Sequence, residues 1–363
     1  MKILQINVDR GKAATALLDK YKTDHDIDIV MLQEPYTTYR PTNKMKKLNN
    51  GRNSKTEIWI KDNIDYTIIT ELTNDNTTTI RINNKAGITY LTSIYDEPGG
   101  NKNKRLEEYD RKQREHTTQI RQHLLCGDIN AHSDIWGGNV NDKRGEDLIN
   151  WTIDNGYILE NKKHEQPTFQ GPMGSSYVDM TLTKNLRTTN WTVNADETLS
   201  AHKYITYEID IEHTTTKRKR TTYDFINTNW TRYEDQIKLQ TDQLDWDRSV
   251  DDIADSFDKI CSQACRRHIR TKTLREGDET GWWNETLDRQ RKQLNRERRE
   301  LQATTDDDER DARKRQYSEH RREYKKLINE RRQRTYDQDI TDTLKNATWH
   351  KAWNILAGKN IQT

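Results

Sequence analysis

The sequence predicts an α/β sandwich, with sheets flanked by helices, followed by a helical extension. Over the first 215 residues short apolar runs alternate with amphipathic stretches, and turn residues separate them. From about residue 214 onward, where the chain reads Thr-Thr-Thr-Lys-Arg-Lys-Arg, glycine and proline nearly vanish and strand patterns stop. The 363 residues are 31% hydrophobic and 33% charged, so apolar material must be shared unevenly if any part is to bury a core. Two regions are expected: a domain over 1–215 and a charged helical region over 216–363.

Strand-like runs occupy residues 3–8, 27–32, 58–60, 66–69, 79–82, 88–94, 124–126, 177–182, 191–193 and 204–211. The last alternates Tyr204, Thr206 and Glu208 against Ile205, Tyr207 and Ile209. Helical spacing fits 12–22 (Ala13, Ala16, Leu17), 106–122 and 146–154 (Leu148, Ile149, Trp151). At least ten strands with few helices make a sandwich rather than a bundle.

Past the boundary, residues 251–270 carry Ile253, Ala254, Phe257, Ile260 and Ala264 at helical spacing. Residues 283–301 repeat Leu287, Leu294 and Leu301 every seven positions, and 306–336 place Tyr317, Tyr324, Leu327 and Ile328 on one side. Roughly half of residues 281–340 are charged, so these stripes are too narrow for independent stability. Two long, largely exposed helices are expected, broken near Thr304 and Thr305 by a Thr cap and the acids 306–308, and pairing with each other or with a further domain. A solvated hairpin accounts for the charge pattern. So does an arm on nucleic acid, carried by arginine clusters at 296–299, 313–315, 321–322 and 331–334.

No run reaches the 18 or so apolar residues of a membrane helix, and Met1 to Gln5 is too short and polar for a signal peptide. Cys126, Cys261 and Cys265 are an odd set that suits a reducing compartment, so a soluble intracellular protein is expected. The net charge of +2 conceals 61 basic and 59 acidic residues and does not decide for or against a nucleic-acid partner.

Chemistry-bearing residues gather at strand ends. Leu124-Leu125-Cys126-Gly127-Asp128-Ile129-Asn130 runs an apolar strand into a turn with a carboxylate and an amide two residues apart, which share a face. Asp128 could take a proton from water while Asn130 orients it, although an Asx turn closing the strand explains the motif equally well. Asn7 and Asp9 end the first run, and Glu34 after 30–33 is a hard oxygen ligand of the kind Mg²⁺ or Mn²⁺ accepts. Tyr95, Asp179 and His202 complete a set that metal-assisted phosphodiester cleavage requires: cationic groups against phosphate charge, a base, and a carboxylate to hold the histidine.

The motifs Gln5-Ile6-Asn7, Leu32-Gln33-Glu34-Pro35-Tyr36, Ser93-Ile94-Tyr95 and Gly127-Asp128-Ile129-Asn130-Ala131-His132-Ser133 are followed by Trp136-Gly137 and Arg144-Gly145. Pro167-Thr168-Phe169, Ser176-Tyr177-Val178-Asp179-Met180-Thr181-Leu182 and Ser200-Ala201-His202 come after. In this order they resemble the apurinic/apyrimidinic-type endonuclease domain of non-LTR (LINE-type) retrotransposon polyproteins, of the exonuclease III and DNase I-like endonuclease/exonuclease/phosphatase superfamily. The resemblance implies a four-layered α/β sandwich (DNase I-like) and an endonuclease dependent on Mg²⁺ or Mn²⁺. Such an enzyme nicks target DNA and leaves a 3′-hydroxyl primer for target-primed reverse transcription. By the same resemblance Asn7, Tyr95, Asp128, Asn130, Asp179 and His202 are catalytic, Asp179 holds His202, and Glu34 is the metal ligand with Asp9 as a further candidate. The implied partners are target DNA, the element's RNA and a reverse transcriptase in the same polyprotein, with no membrane or secreted partner; the implied site of action is the nucleus, after synthesis in the cytoplasm.

Where the family has Ser-Asp-His, this chain has Ser200-Ala201-His202. Loss of a catalytic carboxylate costs on the order of 3 to 5 kcal/mol, so impaired cleavage is expected, and a non-catalytic nucleic-acid-binding module is the alternative. Trp282-Trp283-Asn284, the 321–328 segment and Trp349-His350-Lys351-Ala352-Trp353 resemble the segment joining that endonuclease to the reverse transcriptase, which is expected to lie beyond this chain. Expected nucleic-acid contacts are Trp136, Arg296, Arg298, Arg299, Arg313, Arg315, Arg331 and Arg332. His132 reads as a structural hydrogen-bonding residue, and Cys261, Cys265 and His268 on one helical face lack the fourth ligand of a zinc site.

Overall fold

The computed structural model describes residues 1–42, 45–84, 87–99, 102–115, 120–163, 166–171, 174–211, 221–223, 228–246, 250–269, 271–273 and 281–346. It comprises two compact units, Met1–Thr216 together with Glu279–Thr363, and Lys217–Asp278. The single region expected over 216–363 is therefore divided, because its last two helices bury their apolar stripes on the first 216 residues.

The first unit runs β1 (Lys2–Asn7), α1 (Lys12–Asp24), β2 (Ile29–Gln33), β3 (Met45–Leu48), β4 (Thr56–Lys61), β5 (Thr67–Ile68), β6 (Thr77–Asn84) and β7 (Gly87–Tyr95). It continues through α2 (Lys104–Glu115), β8 (Gln122–Asp128), α3 (Lys143–Asp154), β9 (Ile158–Leu159), β10 (Phe169–Gly171), β11 (Gly174–Ser176), β12 (Asp179–Lys184), β13 (Thr188–Val193) and β14 (Ile205–Ile209). Each of the ten expected strands is present, and the expected helix over 106–122 ends at Glu115, with Gln122 already in β8.

Two six-stranded sheets form, in the orders β13-β14-β1-β2-β4-β3 and β5-β6-β7-β8-β12-β9. Each is mixed, with one parallel pair at its centre, β1/β2 in the first and β7/β8 in the second. A parallel pair needs a crossover, and the chain supplies α1 for one and α2 for the other. The strand period of two sends Ile3 between the sheets and Leu4 and Ile6 to the outer face under α1. The inter-sheet core joins Ile29, Met31, Ile58 and Ile60 of the first sheet to Ile80, Ile82, Leu91 and Leu124 of the second. Leu106 and Tyr109 of α2 and Leu148 of α3 cover the second sheet's other face. Four layers result, as the sequence predicts.

Near the carboxyl ends of the parallel strands the inter-sheet space turns polar. Gln33 donates to Ser93 Oγ (2.9 Å), and Gln5 donates to the Met180 carbonyl (3.0 Å) and accepts from Thr181 Oγ1 (3.0 Å). Gly127 lets β8 pass β7 closely, since a Cβ there would stand 1.8 Å from the Ile94 carbonyl oxygen.

The second unit pairs β15 (Thr221–Tyr223) with β16 (Thr271–Thr273) and packs α4 (Trp230–Thr241) with α5 (Val250–His268). Strands thus continue past 214; three-residue strands are too short to show an alternation in sequence. Back in the first unit, α6 (Glu285–Ala303) and α7 (Asp307–Asn346) form the expected pair with its break at 304–306. The cap of α7 is Asp306, whose Oδ1 accepts from Glu309 N (2.9 Å), rather than a threonine. Leu287, Leu294, Tyr324 and Ile328 are buried with Leu17, Leu18 and Tyr21 of α1 and with Tyr204. The inner face of the pair is thus covered by the first 216 residues rather than by a further domain, while most of α7 stays exposed as expected: a narrow stripe suffices when its partner is a preformed helix surface. Among the described residues no helix is long and apolar enough to cross a membrane. Residues 214–220 and the Trp349, Trp353 pair lie outside the described residues.

Candidate active site

Each side chain of the site is delivered by the end of a strand. Asn7 closes β1, Glu34 follows β2, Tyr95 closes β7 and Asp128 closes β8, while Asp179 opens β12 and His202 precedes β14. Asn7, Tyr95, Asp128, Asp179 and His202 are buried, and Glu34 is partly exposed. Asp9, Arg10, Glu34, Asn130 and Leu199 all have φ between +43° and +57°, an unfavourable conformation for residues bearing a Cβ that recurs at functional sites.

The Asn7 amide ties two carboxylates together, donating from Nδ2 to Asp128 Oδ2 (3.0 Å) and Glu34 Oε2 (3.3 Å). His202 Nδ1 lies 2.9 Å and 3.1 Å from the two Asp179 oxygens, and its Nε2 lies 3.8 Å from Asp128 Oδ2 and 3.9 Å from Asp9 Oδ1. No contact in the path from Glu34 through Asn7 and Asp128 to His202 exceeds 3.8 Å. Phe169 presents its ring to the imidazole at 5.0 Å and 70°. Burial works against a charged imidazole, but Asp179, then Asp128 and Asp9, overcome it and raise His202 to about 9. Burial, reinforced by Asp179, pushes Asp128 up to about 7. Burial, with Glu34 and Asp128, raises the Tyr95 phenol well above its ordinary value, so it stays a proton donor.

Asn130 donates from its own backbone N to Asp128 Oδ1 (3.2 Å) and from Nδ2 to the Asp96 carbonyl (3.0 Å), which leaves its side-chain oxygen as an acceptor. Asp9 belongs to the histidine side: its Oδ2 accepts from Ser200 Oγ (2.8 Å) and Ala201 N (2.7 Å). Beneath these loops the buried Arg144 donates to the carbonyls of Glu97 (2.6 Å) and Ile129.

Two donor sets could hold a cation. Asp128, Asp179 and His202 each offer a ligand atom within 4.8 Å of one another. Both Asp179 oxygens face Nδ1, however, and the imidazole is held cationic, which disfavours it as a ligand. Glu34 and Asp128 offer carboxylate oxygens suited to a hard divalent ion and are bridged by Asn7 Nδ2, while Asn7 Oδ1 is engaged by Asp9 N (2.9 Å). Asp128 is raised by burial and then by Asp179, and Arg10, 3.4 Å from Glu34, is mostly in solvent, so a cation there would favour the ionised carboxylates.

The seven expected residues Asn7, Glu34, Tyr95, Asp128, Asn130, Asp179 and His202 thus share one site. The nucleic-acid residues fare differently. Trp136 is 1% exposed and donates to the Tyr177 carbonyl (3.0 Å), so it offers no face to a base. Arg298 is buried and donates to the Asp196 carbonyl (2.9 Å), and Arg332 stacks 4.5 Å over Tyr39. Arg331 is half-buried, and Arg313 is shared between Glu309 (2.8 Å) and Glu300 (3.1 Å). Consecutive arginines sweep around a helix, so part of any cluster must face the body it packs on. Arg296, Arg299 and Arg315 remain exposed. His132 pairs with Asp142 (2.8 Å), as its structural reading requires. Ser200, Phe169, Arg144, Arg310 and Lys314 were not singled out individually by sequence; the last two flank a groove of about 410 Å³ between the β10–β11 hairpin and the turn joining α6 to α7. Phe169 and Gln170, whose N donates to the Ala201 carbonyl (2.8 Å), connect that groove to the site.

Residues 89–206 match a family model described as endonuclease-reverse transcriptase (Exo_endo_phos_2), and this part of the chain carries an exonuclease/endonuclease/phosphatase-type domain. The chain is 22% identical, over 65% of its length, to the retrovirus-related Pol polyprotein from type-1 retrotransposable element R1 of Bradysia coprophila, of which it spans about a quarter (26%). Among solved structures, the endonuclease domain of TRAS1, a telomere-specific non-LTR retrotransposon, matches with a TM-score of 0.51 and 27% identity, over 58% of this chain and 98% of that one.

Proposed function

We propose that the chain is a divalent-cation-dependent DNA endonuclease that nicks one strand of target DNA and leaves a 3′-hydroxyl from which reverse transcription is primed. The observation that carries this reading is the buried Asp179–His202–Asp128 arrangement beside Glu34 and Asn7, at the carboxyl ends of four central strands. The resemblance to a retrotransposon endonuclease domain supports DNA as substrate and a polymerase as a partner in the parent polyprotein. Action in the nucleus follows if that substrate is chromosomal.

Asp128, raised to about 7, is suited to take a proton from the attacking water near neutral pH, and the Asn130 side-chain oxygen accepts the water's other hydrogen. His202 is cationic, and Asp179 fixes its ring so that the Nε2 proton points into the site, where a phosphate oxygen gaining charge would accept it. The Tyr95 phenol, kept protonated by burial beside Glu34 and Asp128, supplies a further donor. A Mg²⁺ or Mn²⁺ held by Glu34 beside Asp128 would supply charge neutralisation on the phosphate. The water oxygen bonds to phosphorus, the bond to O3′ breaks as O3′ takes a proton from solvent water, and the nick is left with a 3′-hydroxyl and a 5′-phosphate. In this reading Arg310 and Lys314, which share the groove with Asp307 and Asp311, meet the DNA backbone.

Plasmid nicking with Mg²⁺, with the nicked ends extended by a polymerase, tests this. Nicks that cannot be extended, or nicking indifferent to chelation, would contradict it. Ala201 favours a second reading, a nucleic-acid-binding module without cleavage; it predicts tight DNA binding and no nicks.

A further inference from the structure

Loop 194–204, which carries His202 between β13 and β14, is held from two sides: Asp9, Thr168, Gln170 and Asp179 hold residues 200–203, and α6 and α7 hold residues 196–200. Glu197 is 3% exposed, and its carboxylate accepts from Leu199 N (2.8 Å) and from Arg321 Nε of α7 (3.0 Å), and also from Tyr317 Oη. Arg321 and Arg298 hold its carboxyl below the usual range in spite of burial. On α6, Asn295 Oδ1 accepts from Glu197 N (2.7 Å), and Arg298 Nη1 donates to the Asp196 carbonyl (2.9 Å). The second arm of the Arg321 fork, Nη2, donates to the Ser200 carbonyl (3.0 Å).

Ser200 is where the loop meets the chemistry. Its Oγ donates to Asn7 O (2.7 Å) and Asp9 Oδ2 (2.8 Å) and accepts from His202 N (3.1 Å). Leu199, one residue earlier, sits at φ +57°, a conformation that persists only when its surroundings enforce it. Tyr317, Arg321, Tyr324 and Ile328 recur at helical spacing, so the face of α7 that grips the loop is the face that buries its apolar stripe.

We propose that Arg321 is a positioning residue for His202, and that α6 and α7 are part of the scaffold of the nuclease site rather than a spacer behind it. The fork spans Glu197 and the Ser200 carbonyl at once and sets the distance between the buried anchor and the turn that aims the imidazole. Lysine, with one ammonium, can serve one of these contacts but not hold both in the same plane. Any partner that bends or draws on α7 then acts on the catalytic loop.

The rate readout of this inference rests on the nuclease reading; the exchange readout does not. In the full chain, Arg321→Ala is expected to lower single-turnover nicking at saturating DNA and Mg²⁺ on the order of tenfold to a hundredfold, with the DNA concentration for half-maximal rate changed less than about twofold. Arg321→Lys should fall between. In hydrogen-exchange mass spectrometry of the metal-free protein, Arg321→Ala should speed exchange over 197–204 by at least about tenfold while β1 and β2 keep their protection. Exchange unchanged in the loop overturns the inference, as does faster exchange with an undiminished nicking rate. If the unsubstituted chain does not nick at all, the nuclease reading fails and the exchange result alone decides whether Arg321 positions the loop. If β1 and β2 also lose protection, Arg321 is a general stabilising residue and the inference is overturned.

Discussion

His202 Nε2 stands 3.8 Å from Asp128 Oδ2, where burial pushes the carboxyl up to about 7 while the surrounding carboxylates raise the imidazole to about 9. Nicking should rise as Asp128 loses its proton, through about 7 without metal and lower once a cation sits beside it, and fall as His202 loses its proton through about 9. Both folded values lie above the ordinary ones, so stability runs one way. The histidine's contribution is complete below its ordinary 6.5 and is lost as pH rises through about 9; that of Asp128 is complete below its ordinary 3.8 and is lost through about 7. Chelated protein should therefore melt at progressively lower temperature from pH 5 to 9 insofar as these two groups control it. A rate profile without either limb would remove Asp128 and His202 from their assigned roles.

Asp179→Asn tests the histidine's support. The amide keeps the shape but removes the charge that does most to raise His202, so the alkaline limb should move down in pH and nicking at pH 8 should fall roughly a hundredfold or more. Rate against pH is the measurement, and an unmoved limb would show that Asp179 does not govern the imidazole.

Glu34→Gln tests the cation set. Mn²⁺ or Mg²⁺ should raise the melting temperature of the unsubstituted chain, more at pH 8 than at pH 6, because a cation competes with the proton on Asp128. The variant should lose most of that shift. Glutamine keeps the length of the side chain that meets Asn7, so an equal shift in both proteins would place the ion elsewhere.

Ala201→Asp adds a carboxylate beside Asp9, whose Oδ2 already accepts from Ala201 N. A gain in Mg²⁺-dependent nicking of about tenfold or more is expected if the site lacks that charge. Equal rates in a chain that nicks would indicate that Asp9, 3.9 Å from His202 Nε2, already supplies it.

The strand ends were legible because a period of two and a terminal turn leave few places for Asn7, Glu34, Asp128 and Asn130 to point. Their meeting depends on both sheets having a parallel centre, which a list of strands does not specify. Trp136 misled because closeness to the Asp128 loop in sequence says nothing about which side of that loop a ring packs against. Arg298 and Arg321 were hidden among neighbours of the same type: Arg299 and Arg322 are exposed, and only the direction in which α6 and α7 dock separates the inner from the outer member of each pair. That direction is set by Tyr21, Tyr204 and Leu18, far away in sequence.

The same docking decides what the tail does for stability. The sequence alone suggests that removing residues 283–363 leaves the nuclease chemistry untouched. In the structure Leu287, Leu294 and Ile328 are fully buried and Tyr324 nearly so, against Leu17, Leu18, Tyr21 and Tyr204, so removal would expose the outer face of α1. Leu294→Ala is the gentler test, because it deletes buried carbon without removing an arginine or a hydrogen bond. It should cost about 2 to 5 kcal/mol, as large-to-small core substitutions do, and the loss should appear in the cooperative melt of the nuclease body rather than as a separate early transition of the helices. Circular dichroism at a helix band, followed alongside fluorescence of the buried Trp59 and Trp136, reports both. A helical transition that precedes an unshifted fluorescence transition would show that α6 and α7 fold on the surface without supporting it. Coincident transitions, both moved down, would make them one cooperative body with the sheets.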